Sequence, residues 1–191
     1  MPEYGKLDYW QKRYAQIDAE PFDWMCDYDQ LEPLILPLIQ SRFSHQSPKI
    51  LIVGCGNAPF SPDFVSRSGY GEQSIHIDYC PLVIQQQKSR YPDIDFRVVD
   101  ALDMSEFCDS EFHVVIDKSL LDTTMCYENG TEATKRLFKE IHRVLRPGGR
   151  LISVSLHDEE SVVAYKNASL EDSEFSYEFV VSSCKIPNLR R

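Results

Sequence analysis

The chain has 191 residues, enough for one domain with its own hydrophobic core. Its formal net charge is −10 at pH 7, and this excess of acidic residues disfavours binding to the phosphates of nucleic acids. No apolar stretch approaches the roughly 20 residues of a membrane-spanning helix, and the N-terminus lacks the basic and apolar regions of a secretion signal. We therefore expect a single domain, residues 1–191, in the cytoplasm, without nucleic acid or membrane as a partner.

Six cysteines and five histidines are scattered along the chain without the spacing of metal ligands. The Cys-x-x-Cys pairs of the usual zinc sites do not occur in the sequence. Their dispersal indicates reduced thiols rather than a disulfide framework. The sequence therefore predicts no metal site.

Two helices are predicted before the first strand. Residues 6–18 carry apolar side chains at positions 7, 10, 14 and 17, which is helical spacing. A second helix is predicted to begin at Asp29, with Glu32 three residues later completing a capping box. We assign residues 1–45 to an N-terminal helical segment and residues 46–191 to the core of the domain.

From Lys49 onward, strand-like and helix-like stretches alternate. The predicted strands are 50–53, 74–78, 95–99, 112–116, 150–155 and 175–186, and the predicted helices are 61–68, 81–89, 131–145 and 158–167. Ser61 is the expected N-cap of its helix, and Pro62 the first helical residue. A Pro-Gly-Gly turn is expected before a buried strand at 150–155. This alternation predicts an α/β fold with a mostly parallel, doubly wound sheet and helices on both of its faces.

Gly54 and Gly56 follow the first strand, where a missing side chain lets a ligand approach the backbone. In open parallel sheets, ligands bind beyond the carboxyl ends of the strands. Pro59 occupies the place of the third glycine of the dinucleotide fingerprint, which disfavours NAD and FAD. The P-loop sequence is also absent, so a nucleoside-like ligand without a pyrophosphate fits better. A plain tight turn is the alternative.

Aspartates stand at the ends of the next three predicted strands. Asp78 lies 24 residues after Gly54, close to the spacing of about 20 at which an acid meets ribose hydroxyls. A cap for the helix that begins near Pro81 is the alternative role. Asp100 follows the third strand, where the acid or the neighbouring amide can reach an adenine edge. Asp117 ends the fourth strand, directly before a lysine.

These residues resemble the motifs of class I S-adenosylmethionine-dependent methyltransferases, in the segments ILIVGCGN, HIDY, VVDALDM and LRPGGRLISV. The segments YWQKRYAQID, PFDW and IDKSLLDT are similar to the methyltransferase-like 13 group, above all to its elongation factor 1A lysine methyltransferase 4 type. The resemblance implies a Rossmann-like class I methyltransferase fold with an N-terminal helical lid. It also implies S-adenosyl-L-methionine as the cofactor and S-adenosyl-L-homocysteine as the product. The implied partner is a protein with an exposed lysine, with elongation factor 1A as the candidate.

The resemblance also implies a set of cofactor contacts, of which spacing alone does not establish the lid aromatics. These contacts are Trp10, Tyr14 and Trp24 in the lid, Gly54 and Gly56 in the turn, and Asp78, Tyr79, Asp100, Ala101 and Lys118 at the later strand ends. Ordinary packing is the alternative role for the three lid aromatics. For Lys118, pairing with the carboxylate of the cofactor competes with a surface salt bridge.

Asp117 and Asp122 are the candidate catalytic residues, because the segment DKSLLD brings both close to the end of the fourth strand. A substrate lysine has a free pKa of about 10.4, so it must be delivered neutral, and a carboxylate can orient its amine. The Asp-Pro-Pro-Tyr and Asn-Pro-Pro-Tyr sequences are absent, which disfavours methylation of nucleic-acid bases. Three alternatives stay open: methylation of a small molecule, aminopropyl transfer, and an inactive cofactor-binding module.

Overall fold

The computed structural model describes residues 3–16, 21–43 and 47–169. Its helices are α1 Leu7–Tyr14, α2 Tyr28–Phe43, α3 Phe60–Arg67, α4 Pro81–Arg90, α5 Leu120–Thr124, α6 Gly130–Val144 and α7 Glu159–Ser169. Its strands are β1 Ile50–Val53, β2 Ser74–Asp78, β3 Asp95–Val98, β4 Phe112–Lys118 and β5 Leu145–Val154. None of the helices in these ranges is long and apolar enough to cross a membrane. The strand predicted at 175–186 lies outside the described residues.

The five strands form one parallel sheet in the order β3-β2-β1-β4-β5. Ile50 of the central strand lies opposite Ser74 of β2 on one side and Val114 of β4 on the other. The chain therefore moves outward from β1 to β3 and then returns to β4 beside β1. This reversal places the topological switch point, where such sheets bind ligands, at the carboxyl ends of β1 and β4. The predicted doubly wound sheet is confirmed.

Helices cover both faces of the sheet, so the side chains of β1 are buried in alternate directions. Ile50 and Ile52 pack in a cluster with α2, α3 and α4, whereas Leu51 and Val53 pack in a second cluster with α6. A strand buried on both faces needs the continuous apolar run seen in this sequence. Because α2 contributes to the first cluster, it packs as part of the core. The division of the chain near residue 45 stays a prediction.

The capping box of α2 lies two residues before its predicted position. Asp27 Oδ1 accepts a hydrogen bond from Gln30 N (3.1 Å), and Gln30 Oε1 accepts one from Asp27 N (3.2 Å). The helix accordingly begins at Tyr28. Asp29 and Glu32, which have the same spacing, both pair with Arg67 of α3. The sequence therefore contains two pairs with capping-box spacing. The first pair caps the helix, and the carboxylates of the second form ion pairs with Arg67.

Ser61 does not cap α3, and the helix begins one residue earlier, at Phe60. The Ser61 hydroxyl is fully buried and lies 3.0 Å from His76 Nδ1. His76 Nε2 lies 3.0 Å from Ser74 Oγ, so both nitrogens of the buried imidazole are satisfied. The prediction was wrong because a buried histidine, distant in sequence, uses the hydroxyl instead.

The Pro-Gly-Gly segment is part of β5 rather than a turn before it. The strand begins at Leu145, and its register against β4 shifts between Phe112 and Val114, with Gly148 at φ +77°. From Leu145 to Arg150 the strand advances five residues while β4 advances two, so this irregularity in the register accommodates the extra residues within β5. Ile152 is the buried residue of β5. The strand is less buried than expected, because β5 is the last strand on this side of the described sheet.

Buried His76 should make the folded state sensitive to acid. Burial lowers the pKa of His76 to about 3, from 6.5 for a free histidine. Protons therefore bind preferentially to the unfolded chain, and the stability contributed by neutral His76 is present above pH 6.5 and lost as the pH falls. At pH 5.5 the expected loss is about 1.4 kcal/mol relative to pH 7.5.

The measurement is urea unfolding at pH 7.5 and 5.5 of the parent protein and of His76→Gln, which keeps polar atoms near both serines. The variant should lose about 1.4 kcal/mol less between the two pH values. Burial raises the pKa values of Asp78 and Asp117 to about 6, so these carboxyls act in the opposite direction. Only the difference between the two proteins isolates His76. An identical loss in both would contradict the prediction.

Candidate active site

The turn after β1 is enclosed between two elements from other parts of the chain. Gly54 and Gly56 have φ values of +64° and +53°, in the left-handed region that favours glycine. A β-carbon on Gly54 would lie 3.1 Å from Leu120 Cβ of α5. A β-carbon on Gly56 would lie 2.9 Å from Tyr14 Oη of α1. Glycine is therefore required at both positions by the backbone and by the close neighbours.

Asp78 holds this turn from the neighbouring strand. Its Oδ2 accepts a hydrogen bond from Gly56 N (3.0 Å), and its Oδ1 accepts one from Cys80 N (2.9 Å), just before α4. The carboxyl group is buried, and burial raises its pKa to about 6 despite the two N–H donors, which lower it. The bond to Cys80 goes to the N-cap residue itself, and α4 has no side-chain cap hydrogen bond, so the alternative role of Asp78 as the cap of this helix is not borne out. Contact with a ribose stays a prediction.

The third strand end brings Asp100, Ala101 and a tyrosine from elsewhere in the chain together. Asp100 is exposed and accepts a hydrogen bond from Leu102 N (2.8 Å), whereas Ala101 is buried. Burial, and then the charge of Asp100, raises the pKa of Tyr127, whose hydroxyl also interacts with Tyr79. Tyr127 comes from the connection between α5 and α6, and nothing in its sequence context pointed to the site.

The predicted lid aromatics belong to one group of rings, which we call the aromatic cluster. It consists of Tyr4, Tyr9, Trp10, Tyr14, Phe22 and Trp24. Trp10 stacks on Tyr14 with ring centroids 5.8 Å apart, and its Nε1 donates to the Tyr4 carbonyl (2.7 Å). Through Tyr14 the cluster reaches Gly56. Packing accounts for these contacts, and binding of the cofactor by the cluster stays a prediction.

Asp117 is buried, and both of its carboxylate oxygens are used within the protein. Oδ1 accepts a hydrogen bond from Leu120 N (2.8 Å), and Oδ2 accepts one from Ser153 Oγ (2.7 Å). Burial raises the pKa of Asp117 to about 6. The carboxylate therefore joins β4, β5 and the first turn of α5.

Asp122 differs from Asp117, because one of its oxygens lacks a partner. Oδ1 accepts a hydrogen bond from Leu156 N (3.0 Å). Oδ2 is buried and has no hydrogen-bond partner in the part of the chain that the structure describes. The same holds there for the hydroxyl of Ser119, a non-glycine residue at φ +72°. Since buried polar atoms are normally paired, two unpaired ones beyond β4 indicate a place for a polar ligand.

Lys118 lies inside the protein and not on its surface. Its Nζ lies 3.0 Å from Asp23 Oδ1 and donates to the Trp24 carbonyl (3.1 Å). The side chains of the pair are only 7% and 10% exposed, so the alternative of a surface salt bridge was wrong. Burial raises the pKa of Asp23. The segment PFDW contains this aspartate, but its partner could not be read from the sequence.

The geometry is compatible with more than one nucleoside-like ligand. Comparison with known proteins identifies the family. Residues 51–153 match the family model described as a methyltransferase domain. The chain belongs to this methyltransferase domain family. The match runs from β1 through the glycine turn and the three aspartates at the strand ends to β5.

Relatives of known name agree with this assignment. The eEF1A lysine and N-terminal methyltransferase of Bos taurus is 35% identical over 160 residues, which are 81% of this chain and 22% of the relative. EEF1A lysine methyltransferase 4 of Mus musculus is 27% identical over 165 residues, which are 80% of this chain and 62% of the relative. The chain thus spans about a fifth of the first relative and three fifths of the second.

A solved structure confirms the fold. A SAM-dependent methyltransferase from Methanosarcina mazei is 25% identical with a TM-score of 0.50, covering 71% of this chain and 65% of that chain. The expected Rossmann-like class I methyltransferase fold is therefore confirmed, as is the resemblance to the eEF1A lysine methyltransferases.

Replacing Gly56 by alanine should lower stability for two separable reasons. The left-handed backbone costs an L-residue roughly 1–2 kcal/mol. The new β-carbon would also lie 2.9 Å from Tyr14 Oη. Tyr14→Phe removes that oxygen and leaves the ring Cζ at 3.9 Å, an ordinary contact distance. We therefore expect Gly56→Ala to cost less free energy of unfolding in the Tyr14→Phe background, where only the backbone cost persists.

A double-mutant cycle measured by urea unfolding checks this coupling. Gly69→Ala is a matched control, since Gly69 has φ +80° and nothing lies within 4 Å of the site of its β-carbon. Its cost should be the same in both backgrounds. Equal costs of Gly56→Ala with and without the tyrosine hydroxyl would contradict the contact.

Proposed function

We propose that this protein is an S-adenosylmethionine-dependent methyltransferase that methylates a lysine side chain of a protein, with elongation factor 1A as the candidate substrate. The observation that carries the proposal is the glycine turn held by buried Asp78 at the switch point of a methyltransferase domain. The names of the relatives support lysine as the acceptor. The net charge of −10 supports a basic protein surface, rather than nucleic acid, as the partner.

The residues at the strand ends fit S-adenosylmethionine. Gly54 and Gly56 form the tight turn at the carboxyl end of β1, where sheets of this kind bind ligands, and no third glycine follows to hold a pyrophosphate. Each Asp78 oxygen accepts one N–H and keeps a lone pair for a ribose hydroxyl. In the proposal Asp100, Ala101 and Tyr79 hold the adenosine, and the aromatic cluster covers it and excludes water.

When bound, S-adenosylmethionine supplies a methyl group already activated by its sulfonium. The chain's own residues must then orient the amine, and orientation can be worth about 7–11 kcal/mol. In the proposal Asp122 Oδ2 and the Ser119 hydroxyl, neither of which has a partner among the described residues, accept hydrogen bonds from the substrate amine. Asp117 positions this pair by holding α5 and β5, because both of its oxygens are already bonded.

The proposed compartment is the cytoplasm. Among the described residues, Cys55, Cys80, Cys108 and Cys126 are free thiols. Free thiols, two of them exposed, are typical of a reducing compartment. A protein substrate of the translation machinery would be met there.

Methyl transfer should be confined to protein. With labelled S-adenosylmethionine, we expect label in purified elongation factor 1A, located on lysine by mass spectrometry, and none in total RNA or free polyamines. The rate should rise from pH 7 to about 9, because the lysine must lose its proton. Label in RNA or polyamine alone would overturn the lysine acceptor. Label in none of the three would favour an inactive binding module.

Asp122→Asn should lower turnover at least tenfold, while calorimetry shows the affinity for S-adenosylhomocysteine within twofold of the parent.

Ser119→Gly should lower the rate of methyl transfer and raise the stability of the fold. It removes the hydroxyl, which slows transfer, and it relieves the left-handed backbone, which stabilises the fold by roughly 1 kcal/mol. Steady-state kinetics and urea unfolding measure the two effects.

The matched control is Asp158→Asn, which removes a charge from an exposed carboxylate close in sequence to Leu156. Asp158 Oδ1 accepts a hydrogen bond from Ser161 N (2.8 Å), and asparagine can still accept it. This variant should transfer methyl groups at the parent rate. An equal loss of turnover in Asp122→Asn and Asp158→Asn would show that the effect comes from the change in net charge and not from the amine site. Full activity in both Asp122→Asn and Ser119→Gly would remove the proposed amine site.

A further inference from the structure

Lys118 and Asp23 form a buried ion pair between parts of the chain that are far apart in sequence. The Nζ–Oδ1 distance is 3.0 Å, and both side chains are at least nine-tenths buried. Lys118 also donates to the main-chain carbonyl of Trp24 at 3.1 Å. One ammonium group therefore binds both the side chain and the backbone of residues 23–24.

The pair lies where the aromatic cluster meets the strand ends. Lys118 is the last residue of β4, and its Nζ lies 5.9 Å from the ring of Phe60, the first residue of α3. Trp24 contacts Trp10 with ring centroids 6.3 Å apart, and Trp10 in turn stacks on Tyr14. The ammonium group thus joins the aromatic cluster to β4 and to the helix that follows the glycine turn.

The ion pair ties residues 21–24 to β4, whereas the ring contacts of Phe22 and Trp24 tie them to the aromatic cluster and to Arg13. Residues 21–24 lie outside the helices and strands of the sheet, in an irregular stretch between α1 and α2. Breaking a buried pair leaves the other charge uncompensated in a dry environment, which is strongly unfavourable. The chain can escape that state by moving residues 21–24 toward water. Loss of either partner would therefore displace Trp24 and disturb the rings packed on it.

We propose that the Asp23–Lys118 pair is a positioning device that sets the aromatic cluster over the glycine turn and thereby controls cofactor affinity. The pair acts through Trp24, Trp10 and Tyr14, which reaches Gly56. Lys118 is then a positioning residue rather than a contact of the cofactor's carboxylate. The effect on affinity rests on the proposed function, whereas the effect on the aromatic cluster does not.

The test uses the full chain and two variants, Asp23→Asn and Lys118→Met. Binding of S-adenosylhomocysteine is measured by calorimetry, and tryptophan emission is measured without ligand. Trp10 and Trp24 are the only tryptophans, and both belong to the aromatic cluster. Each variant should bind at least tenfold more weakly, about 1.4 kcal/mol, and emit at longer wavelength as the indoles meet water. The double variant should lose no more affinity than the single variant that binds more weakly, because both substitutions remove the same interaction.

Lys49→Met is the matched control. Lys49 also pairs with a carboxylate, that of Glu111, and its Nζ lies 5.2 Å from the ring of Phe112. It precedes β1 at the opposite end of the strands. This variant should bind S-adenosylhomocysteine with the parent affinity and keep the parent emission. Lys118→Arg should recover part of the affinity lost in Lys118→Met, because the guanidinium retains the charge.

The outcomes separate the two roles of Lys118. Weak binding in Lys118→Met with parent affinity and emission in Asp23→Asn would show direct contact with the ligand and overturn the proposal. Parent affinity in both variants would overturn it as well. Asp23→Asn changes one side chain in an irregular stretch, so it decides the matter if Lys118→Met does not fold. A parent protein that does not bind would defeat the proposed function, and the emission of the variants would still decide whether the pair positions the aromatic cluster.

Discussion

Buried carboxylates that accept main-chain N–H groups organise the carboxyl end of this sheet. Asp78 connects the glycine turn to the start of α4, and Asp117 connects β4 to the start of α5. The desolvation of each charge is unfavourable, and the N–H donors offset it only in part, so the pKa of each carboxyl is raised to about 6. The glycine turn depends on the first junction, and α5, which carries Asp122, depends on the second. The backbone of the glycine turn is held by the buried Asp78 carboxylate as well as by packing against Leu120 and Tyr14.

Local sequence predicted the parts of the fold in which neighbours in the chain determine the structure. The bounds of β1 and β2 agree with the predicted ones, because β1 is a continuous apolar run that ends at a glycine, and β2 has isoleucines at alternate positions and ends at an aspartate. The errors at Ser61, at the capping box and in β5 have another origin. At Ser61 and at the capping box, the polar group that was predicted to cap a helix binds a residue distant in sequence instead. Ser61 contacts His76, and Asp29 pairs with Arg67. In β5 the irregular register depends on pairing with β4.

The site shows the same limit. Gly54, Gly56 and Asp78 could be found from spacing, because the fold brings consecutive strand ends to one edge of the sheet. The distinction between Asp117 and Asp122 could not, since it depends on which oxygens are already bonded. Tyr127 and Asp23 were not predicted either, because their neighbours belong to other elements. The sequence motifs indicate which side chains could take part in the reaction. Which of them has an oxygen free for the substrate depends on burial and hydrogen bonding in the folded protein.

The distance along the chain between Asp23 and Lys118 has a consequence for synthesis. Lys118 is made 95 residues after Asp23, and at about 5–20 residues per second this takes roughly 5–20 s. During that interval residues 23–24 lack the ammonium group that ties them to β4, and the rings that pack on Trp24 lack this anchor. Residues 23–24 can therefore dock fully only after β4 has formed. A nascent chain interrupted before β4 would display these rings, and the cell's quality control could recognise it as incomplete.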